Sequence, residues 1–71
     1  MNVGAAIKQL LTERGLKPAD MARGTGFSTP YISQLTTGKQ RDISLKKALA
    51  IADYFGITID EFVDYALQFE D

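Results

Sequence analysis

The sequence predicts an all-α fold of five short helices forming one compact domain over residues 1–71. Three observations carry this. Apolar residues recur at spacings of three and four. A capping residue or an early proline opens each apolar run, and a glycine follows four of the five. No stretch alternates apolar and polar residues between turn signals, so no strand is expected.

Asn2 opens the first helix, whose inward residues are Val3, Ala6, Ile7, Leu10 and Leu11. Gly15 ends it, just after Arg14, a cation suited to a helix C-terminus. Pro18 fits the first turn of a second helix, where its missing N–H is no loss. Asp20 favours that positive end, Met21 and Ala22 continue the helix, and Gly24 and Gly26 stop it. Ser28 caps a third helix with Pro30 in its first turn, Ile32 and Leu35 facing inward, and Gly38 closing it. A polar, basic loop follows over residues 39–43. Ser44 caps a fourth helix that is read with Leu45, Ala48, Leu49, Ala52 and Phe55 on its core face, ending at Gly56. Thr58 and Glu61 form a capping box at the start of a fifth helix over about residues 58–70.

Composition narrows the chemistry. Hydrophobic residues make up 45% of the chain, enough for a packed core and too many for a disordered chain. No apolar run approaches the ~20 residues of a membrane helix, and the first residues lack the pattern of a signal peptide. There is no cysteine and no histidine, which removes disulfides, thiolate metal sites and the commonest general base. No phosphate-binding glycine loop or clustered carboxylates at metal-ligand spacing is present. The expectation is a cytoplasmic protein that is not an enzyme and uses no cofactor.

The net charge of −1 conceals an uneven distribution. Residues 1–47 carry all eight Lys and Arg against three acids, whereas residues 48–71 carry six acids and no Lys or Arg. Such a chain suits a polyanion on one side and water or a second subunit on the other.

The most informative stretch runs from Ala22 through Gly26, Phe27 and Ser28 to Leu35. Two short helices joined by three or four residues with a glycine in the turn form a helix-turn-helix. Ala22 is small enough for close helix approach, Gly26 can take the positive φ of a sharp turn, and Phe27 packs the turn on the core. Thr29, Pro30, Ser33 and Gln34 are then left facing outward.

The pattern Ala22-x-x-x-Gly26-x-Ser28-x-x-x-Ile32-Ser33-x-Leu35 continues with Gly38-Lys39, Ser44-Leu45 and the segment Ala52-x-x-Phe55-Gly56-Ile57-Thr58-Ile59-Asp60-Glu61-Phe62. In this register the chain resembles the phage Cro and repressor (XRE-type) helix-turn-helix family over roughly residues 5–63. The resemblance implies a lambda-repressor-like five-helix domain, with the turn motif at about residues 18–37. It implies that residues 28–37 enter the major groove of double-stranded operator DNA. Thr29, Pro30, Ser33 and Gln34 would then face base edges, Gln34 with an amide that matches adenine N6 and N7. Lys17, Ser28, Thr37, Lys39, Gln40 and Arg41 would contact phosphates, which position the protein without reading sequence. Tyr31 has two readings, a core residue or a phosphate contact through its hydroxyl.

Two positions depart from the family. Pro18 stands where many members have a phosphate-binding glutamine, leaving only backbone N–H groups at that helix start to hold an anion. Thr36 stands where many have glutamate. The fifth helix also carries more apolar residues than one face requires. Phe62, Tyr65 and Phe69 are candidates for a homodimer interface, or for packing onto their own core. The implied function is a Cro-like transcriptional repressor. The same fold also serves as a protein-interaction module, as an antirepressor or antitoxin would, acting on another regulator.

Overall fold

In the computed structural model, which describes residues 1–39 and 42–69, the chain folds into α1 (Val3–Glu13), α2 (Pro18–Thr25), α3 (Thr29–Thr36), α4 (Leu45–Phe55) and α5 (Ile59–Gln68). Nearly equal principal dimensions of 26, 25 and 24 Å leave one shared interior. Ile7, Leu10, Met21, Ile32, Leu35 and Ile51 are its largest fully buried side chains. Among the described residues no helix is long and apolar enough to cross a membrane.

Local hydrogen bonds set the helix starts where the sequence places them. The Asn2 side chain accepts from the Ala5 N–H at 3.0 Å, Ser28 from Tyr31 and Ser44 from Lys47, each at 3.2 Å. Thr58 and Glu61 exchange reciprocal bonds of 2.9 and 3.1 Å. Each cap satisfies a backbone donor that its helix cannot satisfy itself.

Contacts between distant segments hold these helices together. The Asn2 N–H donates to the Ala66 carbonyl at 2.9 Å, tying the start of α1 to α5. The Tyr65 hydroxyl donates to Glu13 Oε1 at 2.8 Å on the same seam. Arg14, read from the sequence as a complement to its own helix end, serves α4 instead. Its guanidinium donates to the Phe55 carbonyl at 3.0 Å and lies 5.5 Å from the Phe55 ring centre.

Three further expectations are corrected. Gly24 does not stop α2, which runs on to Thr25 and ends at left-handed Gly26. A Cβ at Gly24 would lie 2.1 Å from the Tyr54 ring, so its task is to let α4 approach. The core face of α4 is Ile51, Ala52 and Phe55, with Ala48 half-buried, while Leu45 and Leu49 are 69% and 48% exposed. Two overlapping three-four stripes run along this helix, and the rotation that buries Ile51 turns both leucines outward. Finally, Phe62, one candidate for the dimer interface, is a core residue only 2% exposed.

Gly4 lets α1 pack directly on the last turn of α3. It is buried, and a Cβ there would stand 2.2 Å from the Leu35 carbonyl oxygen. Backbone meets backbone, so neither side can yield by changing rotamer. Gly4→Ala should therefore destabilise the protein by about 1–3 kcal/mol in chemical denaturation, the usual range for overpacking. Alanine is normally better than glycine inside a helix by about 1 kcal/mol, so the sign of the change is the check.

Hydrogen bonds from Gln9, then from Tyr65, with Arg14 adding its charge, hold the Glu13 carboxyl below its usual value of 4.5. The Thr58 backbone and side chain do the same for Glu61. A lowered folded-state value means that the stabilisation is complete above the ordinary value. It is lost as pH falls through the folded one. Melting temperature should thus decline on acidification below pH 4.5. The Glu13→Gln, Glu61→Gln double variant should show a shallower decline over the same range.

Candidate nucleic-acid interface

The site begins with the turn between α2 and α3. Gly26 has φ 79°, the left-handed conformation that reverses the chain after α2. The Thr25 hydroxyl donates to the Met21 carbonyl at 2.8 Å and accepts from the Phe27 N–H at 3.2 Å, bracing both sides of the turn. Phe27 packs against the core and meets Tyr31 edge-on, ring centres 5.5 Å apart. Ile32 and Leu35 are fully buried. With α3 anchored on that side, a step of about 100° per residue leaves the opposite side in solvent.

Thr29, Pro30, Ser33 and Gln34 are all exposed there, and none of them is covered by the described chain. Ser28 is exposed at the tip of α3. Its Oγ accepts the capping bond from Tyr31, so the hydroxyl hydrogen stays available to an acceptor such as phosphate. Lys17 and Lys39 are exposed, the first at the start of α2 and the second just past Gly38, which has φ 83°. Gln40 and Arg41 lie outside the described residues.

Two of the expected phosphate contacts are spent within the protein. The Thr37 hydroxyl donates to the Ser33 carbonyl at 2.8 Å, and a longer contact of 3.4 Å reaches the Gln34 carbonyl. A hydroxyl has one hydrogen, so in this rotamer Thr37 has none for a phosphate. One backbone donor at the α2 start is likewise occupied. The Asp20 carboxylate accepts the Lys17 N–H at 2.8 Å and pairs with the Arg23 guanidinium. A resident carboxylate at this helix end takes the place that an external anion would fill.

Tyr31 falls on the core side of its two readings, half-buried and packed against the hydrophobic cluster. Beside it stands a residue that sequence reasoning missed. The Lys47 ammonium lies over the Tyr31 ring, 4.4 Å from its centre. Lys46 and Lys47 occupy the first turn of α4, which has no acidic residue. Cations are disfavoured at a helix N-terminus, and a basic pair directly after a cap signal such as Ser44 was the available clue.

Of the residues proposed for a dimer interface, Tyr65 and Phe69 are half-buried, Tyr65 with its hydroxyl bound to Glu13. The exposed apolar side chains lie elsewhere. Met1 and Leu45 are 64% and 69% exposed and line a groove with Ile43, Ile59 and Val63. Leu67, 47% exposed, lies one turn beyond Val63.

A helix-turn-helix family profile matches residues 7–62, most of the chain. The HTH-type transcriptional regulator DdrOP3 of Deinococcus deserti is 31% identical over 64 residues, covering 90% of this chain and 49% of that protein. An uncharacterised HTH-type transcriptional regulator of Coxiella burnetii is 29% identical over 62 residues, covering 87% of this chain and 29% of its own length. The chain thus spans about half of one relative and under a third of the other. With five helices, a glycine turn and an uncovered third helix in this register, the chain belongs to the helix-turn-helix family.

Proposed function

We propose that this domain is a sequence-specific reader of double-stranded DNA that regulates transcription in the manner of a Cro-like repressor. One observation carries the reading: a short helix held by two buried side chains presents only small and amide-bearing groups to solvent, with lysines at its margins. The major groove admits such a helix, and its base edges offer the donors and acceptors that Gln34, Ser33 and Thr29 match. Lys17, Lys39 and the Ser28 hydroxyl grip the phosphates, supplying salt-dependent affinity without sequence preference. Gln40 and Arg41 belong to the same proposal on sequence grounds alone.

A homodimer completes the reading. The support is the exposed apolar set Met1, Leu45 and Leu67, with half-buried Val63 between them, in place of Phe62. Two copies joined through it would read a near-palindromic site with half-sites about 34 Å apart.

Duplexes selected from a random pool should share one sequence, and affinity for it should fall steeply and linearly on a log–log plot against salt. Gln34→Ala should relax preference at one base pair, and Lys39→Ala should weaken all sequences alike. Unchanged preference in the Gln34 variant would show that another residue reads the base. A chain with neither salt dependence nor sequence preference would be an interaction module instead. For the dimer, sedimentation should show Leu45→Gln, Leu67→Gln shifted toward monomer relative to the parent chain. A parent that stays monomeric at high micromolar concentration, free and on DNA, would remove the dimer.

A further inference from the structure

We infer that Lys47, seated on the ring of Tyr31, is a phosphate clamp flanking the edge of α3 that carries Gln34. The inference rests on the DNA-reading function proposed above.

Placement is the first argument. Lys46 and Lys47 sit at the second and third positions of α4, where the helix dipole opposes a cation. In α2 and α5 the same turn holds Asp20, and Asp60 with Glu61. Among the described residues no carboxylate forms an ion pair with Lys47. What faces its ammonium is the Tyr31 ring at 4.4 Å. A tyrosine face attracts a cation and offsets the unfavourable helix end.

Geometry is the second. Tyr31 and Gln34 are three residues apart on α3 and so are neighbours on its surface. Ile32 and Leu35 mark the buried side, and Pro30 and Gln34 the exposed side next to Tyr31. Tyr31 therefore lies at the boundary of the reading face, turned toward α4, and Lys47 stands outside that boundary. An aromatic face takes up one side of an ammonium and leaves N–H donors on the other. A lysine so held is a fixed cation beside the helix, with less rotamer freedom left to lose when a phosphate arrives. Phe27 backs Tyr31 edge-on, so the seat is itself supported by the turn.

The test uses the intact chain with two duplexes, the selected site and a random sequence, titrated across salt. Lys47→Met should weaken both by a similar factor and reduce the slope of log affinity against log salt by about 0.9. Lys47→Arg should restore it. Tyr31→Phe, which keeps the ring, should bind as the parent does, and Tyr31→Leu should bind both duplexes more weakly. Circular dichroism checks that each variant is folded, and the Lys47→Met and Tyr31→Phe results suffice if Tyr31→Leu is not. A folded Lys47→Met protein with unchanged slope overturns the clamp and leaves the DNA-reading function standing. A parent chain without salt-dependent binding overturns both. Slope lost in Tyr31→Phe overturns the role of the ring and makes the tyrosine hydroxyl the phosphate contact.

Discussion

An eight-residue helix does not hold itself together in water, because nucleation is unfavourable and too few bonds follow. α3 is such a helix, and everything proposed for this protein depends on its being rigid. Its order is imposed from outside. Ile32 and Leu35 drive one side into the core, each contributing about 1.5–3 kcal/mol of burial. Ser28 caps its start, Thr25 and Gly26 aim it, and the α1 backbone at Gly4 packs directly on its last turn. Position, tilt and depth are thus set by four different segments. The outward residues contribute nothing to these anchors, so they can be selected for recognition alone.

The boundaries of that arrangement were legible in the sequence because they are local. Asn2, Ser28, Ser44 and Thr58 each satisfy an N–H three residues ahead, and the residue types that can do so are few. The contacts that assemble the helices were not legible, for a different physical reason. Arg14 meets Phe55 across 41 positions, and nothing around either residue announces the other. The Gly24–Tyr54 and Gly4–Leu35 approaches depend on the absence of a side chain, which in one sequence reads equally well as a helix stop. On α4 periodicity itself was ambiguous. Leu45–Leu49 and Ile51–Phe55 are both valid stripes, and only the neighbouring helices decide which turns inward.

The same division runs through the candidate site. Exposure of Thr29, Pro30, Ser33 and Gln34 follows from knowing that Ile32 and Leu35 are buried, so it could be read directly. Roles that depend on a hydroxyl hydrogen could not. Ser28 and Thr37 look alike as phosphate donors in the sequence, yet one accepts its intramolecular bond and keeps its hydrogen while the other donates its hydrogen away. Asp20 is similar. Its preference for a helix start was evident, but its consequence is that the Lys17 N–H at the α2 start is already taken by the protein's own carboxylate. With a carboxylate at that end, cations have to supply more of the attraction for phosphate.

Charge distribution ties these points together. Three of the six acids of residues 48–71 lie on α5, where Asp60 and Glu61 stabilise the helix start. Lys46 and Lys47 stand at the corresponding start of α4, where their own helix gains nothing from them. Stability alone would favour the opposite arrangement at α4. Local rules and observed residues therefore agree on α5 and disagree on α4, and disagreement of this kind marks positions kept for another purpose. Here the disagreement falls on the turn that touches α3 through Tyr31. The strained electrostatics and the uncovered helix face are adjacent, as they would be if one ligand accounted for both.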